Sequence, residues 1–397
     1  MGSATVVITA AVPWDGTTAR PHHFARGLAA RGWDVLFVGA PVTLIAPLKN
    51  PALRSRLIPA VPVTEVPLGG TCDADVRMGR TGRLRVLAPF ACLPFPNLYR
   101  TVNRWNQALL ARQIEHAAPG PYVLLPQLPN SVDLVPALHP AAVVYDCVDL
   151  HAGFSGLVRP EVVNQMEADL AAVSRTVIAT AGALAEHMRA LHPDVRLVPN
   201  AAEIDHFAAA ASVPEHPRLA GIPRPRVALI GGFGHWVDYG FLRTLAEGLP
   251  EVQFVMIGPV ETDVSMLSSL PNVHFLGLQP YRELPQYLAG CQAALVSFVN
   301  TDLTRSVNPI KVFEYLAAGK EVVATSTDEI DKLSDYVWVA RSPSEGLEML
   351  RGVLEGARRC DDAKRQAFVQ SNSWAARVQQ VNQILRAALP EHLHPQA

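Results

Sequence analysis

Short apolar runs rich in β-branched residues recur along this 397-residue chain, and most are followed by a stretch of helical period. The first is Thr5–Ala10, then an amphipathic stretch at Pro21–Arg31 closed by Gly32, then Asp34–Val38. Tyr122–Pro126, Ala142–Cys147, Arg175–Thr180 and Val195–Val198 continue the series, with helical stretches at Glu161–Val173 and Ala183–Leu191. The pattern then restarts: Arg226–Ile230, Gln253–Ile257, Val273–Leu276, Ala293–Ser297, Val322–Thr325 and Val337–Ala340 read as further strands. Runs that are apolar on both faces need cover on both faces, which parallel strands with crossover helices provide. The alternation in two halves therefore predicts an α/β chain of two Rossmann-like, doubly wound parallel-sheet domains facing a cleft. Residues 208–225 (AAAASVPEHPRLAGIPRP) lack periodicity and predict the linker. The expected domains are 1–207 and 226–372, with 373–397 a helical segment packing back on the first domain.

Composition narrows the function classes. Hydrophobic residues at 49% and charged ones at 18% describe a globular chain rather than a disordered one. A formal net charge of −2 argues against a dedicated nucleic-acid binder. The five cysteines are scattered, odd in number and without metal spacing, which suits a reduced, cytoplasmic compartment. No signal peptide is evident, and no apolar run approaches the roughly 20 residues of a membrane span. Charge is unevenly spread, however. Between Lys49 and Arg112 ten Lys or Arg oppose three acids, a net +7, beside the aromatic run VLAPFACLPFPNLYRTVNRW. Basic residues interleaved with Phe, Trp and Leu suit a peripheral contact with an anionic membrane surface; a solvated Arg-rich loop is the plain alternative.

One stretch, Asn308–Thr325 (NPIKVFEYLAAGKEVVAT), holds a helix start, a helix stop and a strand. Asn308 reads as N-cap, Pro309 as first helical residue and Gly319 as left-handed C-terminal cap. Lys311 and Glu314 are three apart and so neighbours on the helix surface. A helix N-terminus with an added lysine suits a diphosphate, and a carboxylate one turn deeper can accept from two adjacent hydroxyls of a ribose. Read alone, the pair is equally an ordinary surface ion pair.

The longer segment 303–323, LTRSVNPIKVFEYLAAGKEVV, resembles the nucleotide-sugar signature of bacterial group-1 glycosyltransferases of teichuronic-acid type, which have the GT-B fold. Glu321 stands where proline is usual, and Ser306 stands where retaining members generally carry a second Glu. The resemblance implies donor contacts from Asn308, Lys311 and Glu314, and Tyr281 near the base. Gly232 and Gly234, in GGFGHW after a strand, resemble the donor-phosphate loop. Glycines there let backbone amides approach a phosphate, although the third glycine of a dinucleotide fingerprint is missing. PNAAEIDHF, residues 199–207, resembles the segment closing the first domain of these enzymes.

In the first half, Asp146, Asp149 and His151 cluster in YDCVDLH at a strand end, where catalytic side chains of open α/β sheets gather. The same pattern recurs in the group-1 enzymes at that strand end. A carboxylate there could take the proton of an acceptor hydroxyl, and Asp149 is the first choice. The first βα loop resembles the acceptor side of GT-B enzymes, with Gly16, Thr17 and His22 as candidates; a connecting loop is the plain alternative.

These readings together predict a glycosyltransferase moving a sugar from a nucleoside diphosphate donor, UDP-sugar foremost, to a saccharide or lipid-linked acceptor in cell-surface polysaccharide synthesis. Family membership inclines the expectation to retention of configuration. The resemblance calls for no metal and no cofactor beyond the donor. The competing readings are a nucleotide-sugar 2-epimerase of the same fold, an NAD-dependent oxidoreductase and a non-catalytic sugar-nucleotide binder.

Overall fold

A computed structural model describes residues 3–15, 18–68, 82–118, 120–153, 156–305 and 307–395. The chain divides into two compact units, Met1–Pro199 with Arg377–Ala397, and Asn200–Ala376.

The first unit is built on an eight-stranded sheet: β1 (Thr5–Thr9), β2 (Asp34–Val38), β3 (Val63–Val66), β4 (Leu84–Leu87), β5 (Tyr122–Pro126), β6 (Ala142–Cys147), β7 (Thr176–Ala179) and β8 (Val195–Leu197). The spatial order is β3-β4-β2-β1-β5-β6-β7-β8. All neighbours are parallel except the antiparallel edge pair β3–β4. β1 and β5 lie at the centre and are buried at every position, as parallel strands covered on both faces must be. Strand order reverses on either side of β1, so the loops after β1 and β5 open where ligands of such sheets collect.

Two strands in the basic segment went unread from sequence. β3 and β4 lie at the sheet edge, where exposed Thr64 and Glu65 and half-buried Arg85 thin the apolar signal. The Arg100–Ala117 helix follows them, with Leu110, Ala111 and Ile114 facing the core.

Residues 377–397 pack with this unit. The Trp374–Ala388 helix lies against the Arg20–Ala30 helix at Gly27, where any Cβ would fall 2.6 Å from a Val378 methyl. Asn382 accepts from the Trp33 indole at 2.8 Å.

The second unit has β9 (Arg226–Ile230), β10 (Gln253–Ile257), β11 (Val273–Gly277), β12 (Ala293–Val296), β13 (Glu321–Thr325) and β14 (Trp338–Ala340). The order is β11-β10-β9-β12-β13-β14, and every neighbour pair is parallel. Successive residues of β9 alternate between two cores, Ala228 and Ile230 in one, Val227 and Leu229 in the other.

Residues 208–225 do not form the expected linker. The chain changes unit at Pro199–Asn200, and Ala210, Leu219 and Ile222 are buried in the second core. Arg226 at the start of β9 donates to the carbonyls of Ile222 (2.7 Å) and Leu219 (2.8 Å), which ties this irregular stretch down. Such tethering by a distant guanidinium leaves no periodic trace in the sequence.

Candidate functional site

In the second unit the Ile310–Ala317 helix precedes β13. Its start departs from expectation. Pro309 is the cap residue, and among the described residues no side chain caps the first turn. Asn308 instead accepts the Asn200 amide on its side chain (3.1 Å) and the Asn200 side chain on its carbonyl (2.9 Å). Its own amide nitrogen donates to Glu329 at 3.3 Å. Asn308 is thus a buried brace, and the helix start keeps uncapped amides. The other end is as read: Gly319 takes φ +73°, and the Lys320 amide reaches back to the Tyr315 carbonyl at 3.0 Å.

Lys311 and Glu314 meet, Nζ to Oε2, at 2.7 Å. Glu314 is only 3% exposed while Lys311 is 30% exposed. A buried carboxylate must be matched by a cation or donors; this one has its cation on the open side. Tyr281 stands nearby, stacked on His206 at 4.8 Å. Burial, with the charges of Glu314 and Glu203 adding to it, drives its hydroxyl far above the usual tyrosine range.

Tyr315, one residue on, links the helix to the loop after β9. Its hydroxyl accepts from the Ile230 amide at 2.7 Å. In that loop Trp236 donates to the Gly232 carbonyl (3.2 Å), and a Cβ on Gly234 would fall 2.4 Å from the indole. Among the described residues nothing accepts from the amides of Gly232 or Gly234, so both are available to an anion. The helix that follows is not: the Asp238 carboxylate caps it, accepting from the Phe241 amide at 2.8 Å.

The first unit gathers its candidates at the end of β6. Asp146 is wholly buried and held by Arg20, whose Nη2 lies 2.9 Å and Nε 3.0 Å from the carboxylate, and by Gln127 Nε2 at 2.9 Å. So fully engaged a carboxylate is a structural anchor rather than a base. Gln127 also accepts the His151 Nε2 proton on its carbonyl at 2.9 Å. Burial first, opposed by Glu167 and that carbonyl, lowers the pKa of His151 and favours the neutral ring. Asp149 differs from both. No partner of its carboxylate is present among the described residues, and burial raises it to about 6. Arg20 and Gln127 were missed from sequence, since a charge in a helix and an amide after a strand give no signal until β5, β6 and the helix come together.

His22 is not free to face an acceptor. It is 2% exposed, its Nδ1 accepts from the Ala19 amide (3.1 Å) and its Nε2 donates to the Pro13 carbonyl (3.1 Å). It closes its own helix and packs on Trp14 and Phe37. Gly16, Thr17 and Ser306 lie outside the described residues. At the carboxyl ends of β1, β2 and β4 a cavity of about 310 Å³ opens beside Trp14, Asp15, Ala40, Arg56 and Pro89.

Residues 239–383 match the family described as glycosyl transferase-like. The chain is 29% identical over 212 residues to TuaH of Bacillus subtilis (strain 168), named as a teichuronic acid biosynthesis glycosyltransferase. That match covers 49% of this chain and 53% of TuaH, so the chain spans about half the length of that relative. Three solved structures cover nearly all of it. Sucrose-phosphate synthase from Thermosynechococcus elongatus superposes with TM-score 0.68 at 14% identity, over 96% of this chain and 98% of that one. The E. coli trehalose-6-phosphate protein bound with UDP-2-fluoro glucose gives 0.67 at 11% identity, over 98% and 100%. Anabaena HepE, in complex with UDP and glucose, gives 0.65 at 12% identity, over 97% and 100%.

The fold is GT-B, and the glycosyl transferase-like match falls for the most part in the second unit. Lys311 and Glu314 fall within the matched residues, and the Gly232–Gly234 loop, after β9, falls just before them. Asp149 belongs to the other unit.

Proposed function

We propose that the protein is a glycosyltransferase, moving a sugar from a UDP-sugar or similar nucleoside diphosphate donor to a saccharide or lipid-linked acceptor in polysaccharide synthesis. The observation that carries this is the Lys311–Glu314 pair at a helix start, with the carboxylate buried and the cation half-exposed. Lys311, the free amides of the first turn and those of Gly232 and Gly234 stabilise the departing diphosphate. Fixed positive charge aimed at a developing anion is often the largest catalytic contribution. Glu314 receives the two ribose hydroxyls, and Tyr281 stands on the base side. The names of the relatives, one in complex with UDP and glucose and one bound with UDP-2-fluoro glucose, support this choice of donor.

Asp149 completes the reading on the acceptor side. A carboxylate with a pKa near 6 is ionised at neutral pH yet basic enough to accept from a sugar hydroxyl. Under retention the hydroxyl proton passes to the leaving diphosphate oxygen on the same face, and Asp149 orients the hydroxyl. Under inversion Asp149 takes that proton itself. Its unpartnered carboxylate favours keeping this second course in view.

The test is a panel of nucleotide sugars and acceptors. Acceptor-dependent release of the nucleoside diphosphate with a glycosylated product supports the proposal, and proton NMR of the new anomeric centre gives the stereochemical course. Donor turnover without glycosylated product overturns it; an epimerised donor would point to the 2-epimerase and a change in nicotinamide absorbance to the oxidoreductase.

A further inference from the structure

We propose that Glu261 makes donor binding in the second unit depend on a divalent cation carried by the diphosphate. Its carboxylate is the protein's ligand to that cation. This rests on the glycosyltransferase reading and names the form in which the donor is bound. The loops after β9 and β10 are laced together: the Phe233 amide donates to the Pro259 carbonyl at 2.9 Å, and the Glu261 amide to the Phe233 carbonyl at 3.0 Å. That pairing fixes where Glu261 sits. A Cβ built on Gly232 would lie 3.8 Å from Glu261 Oε1, so the carboxylate turns onto the loop whose amides are open to an anion. The Tyr239 hydroxyl, which donates to the Gly234 carbonyl at 3.2 Å, feels the same charge. Burial first, and Glu261 second, raise its pKa.

An acid is the wrong charge for a loop that receives phosphate. Segments 231–238 and 258–264 contain no Lys or Arg. Lys311 is already matched by Glu314 at 2.7 Å, and Arg305 is exposed and donates to Asn300 at 2.9 Å. Among the described residues no cation pairs with Glu261. Both phosphates of a nucleotide sugar are ionised at neutral pH, so bound bare they would meet a neutralised Lys–Glu pair and an unmatched carboxylate. A divalent cation between Glu261 and the diphosphate removes that conflict. Magnesium keeps several of its waters and is usually held by one or two carboxylates together with substrate phosphates, which is the donor set that Glu261 and a diphosphate make. Among the described residues no three His, Cys, Asp or Glu are grouped to hold an ion by themselves. The cation therefore arrives and leaves with the nucleotide. The family resemblance calls for no metal; the acid at this loop is what sets this chain apart.

The test is calorimetry of UDP binding at fixed ionic strength, in EDTA and in excess magnesium. In the wild type magnesium tightens UDP by about tenfold, within the usual range of coupling between two ligands. Glu261→Gln binds UDP about threefold more tightly than the wild type in EDTA, because a like charge is gone. It gains less than about twofold from magnesium, because the coupling is lost with the ligand. Glu261 is exposed and the two loops are laced through its backbone, so this variant keeps the fold. Asp263→Asn is the control for charge alone: Asp263 accepts from the Ser265 amide at 2.9 Å and hydroxyl at 3.1 Å, and its loss leaves the magnesium response as in the wild type. Manganese paramagnetic resonance gives a second readout, since by reciprocity UDP recruits Mn²⁺ to the wild type and not to Glu261→Gln. Wild-type UDP affinity that is equal in EDTA and magnesium, or a full magnesium response in Glu261→Gln, overturns the inference and leaves the donor reading standing. UDP that binds in neither condition removes both.

Discussion

Glu314 is a buried carboxylate and Asp149 a half-buried one, and their surroundings give them opposite tasks. Glu314 has the Lys311 ammonium against it at 2.7 Å. Glu314→Gln should weaken UDP binding by roughly 1–3 kcal/mol, the scale of hydrogen bonds to a charged group; unchanged affinity in calorimetry would remove it from the donor site. Asp149 has only burial acting on it, which raises its carboxyl from 3.8 to about 6. Asp149→Asn should reduce turnover by about a hundredfold or more while leaving UDP affinity intact, and near-wild-type turnover would exclude it. The same shift has a stability consequence. The folded protein binds this proton more tightly than the unfolded chain, so the stabilisation is complete below the ordinary value and lost as pH rises through about 6. Asp149→Asn should therefore stabilise the protein at pH 8, by about 2–3 kcal/mol at most given roughly 1.4 kcal/mol per pH unit, and give no gain at pH 3. Denaturant titrations at the two pH values measure the difference.

At the level of elements, the end of β6 is held by a buried ion pair rather than by packing alone. Removing Asp146 leaves Arg20 buried without its counter-charge, so Asp146→Leu should cost about 3–5 kcal/mol. Arg20→Met with Asp146→Leu should recover much of that loss in urea melts, while the single variant recovers none. Much of this scale was legible beforehand. The strands that carry or flank both sites were readable because β1, β5, β6, β9 and β13 have neighbours on both sides and are mostly apolar and buried. Lys311 and Glu314 were readable because a helix fixes the spacing of neighbours. What escaped depends on partners far apart in the chain. Asn308 has the right chemistry for an N-cap but is claimed by Asn200, 108 positions away. His22 and Asp146 have catalytic chemistry but are consumed by Ala19 and Pro13 in one case and by Arg20 and Gln127 in the other. A residue type names what a side chain can do, and only its neighbours decide what is left over for a substrate.

Across the whole molecule, charge and exposed apolar surface concentrate in the first unit. Leu44, Leu48, Ile58, Val61, Trp105 and Leu109 are each more than half exposed and fall within or just before the stretch of net +7. Among the described residues no helix is long and apolar enough to cross a membrane. A surface contact is a separate matter, and this distribution predicts one. The protein should bind vesicles containing anionic lipid at low salt and release from them as ionic strength rises. Absence of binding in low-salt flotation assays would count against any bilayer role for this face.

The packing of residues 377–397 with the first unit also bears on how the protein is made. The first unit's opening residues leave the ribosome long before the segment that covers Gly27 and Trp33. The second unit, about 180 residues, is translated in between. At roughly 5–20 residues per second, that interval lasts on the order of ten to thirty seconds. During it the second unit can fold on completion, while the earlier one waits with one flank of its first helix uncovered. Birth order and folding order are therefore expected to run in opposite directions, and a chaperone acting on the nascent chain would find its longest-lived target near the N-terminus.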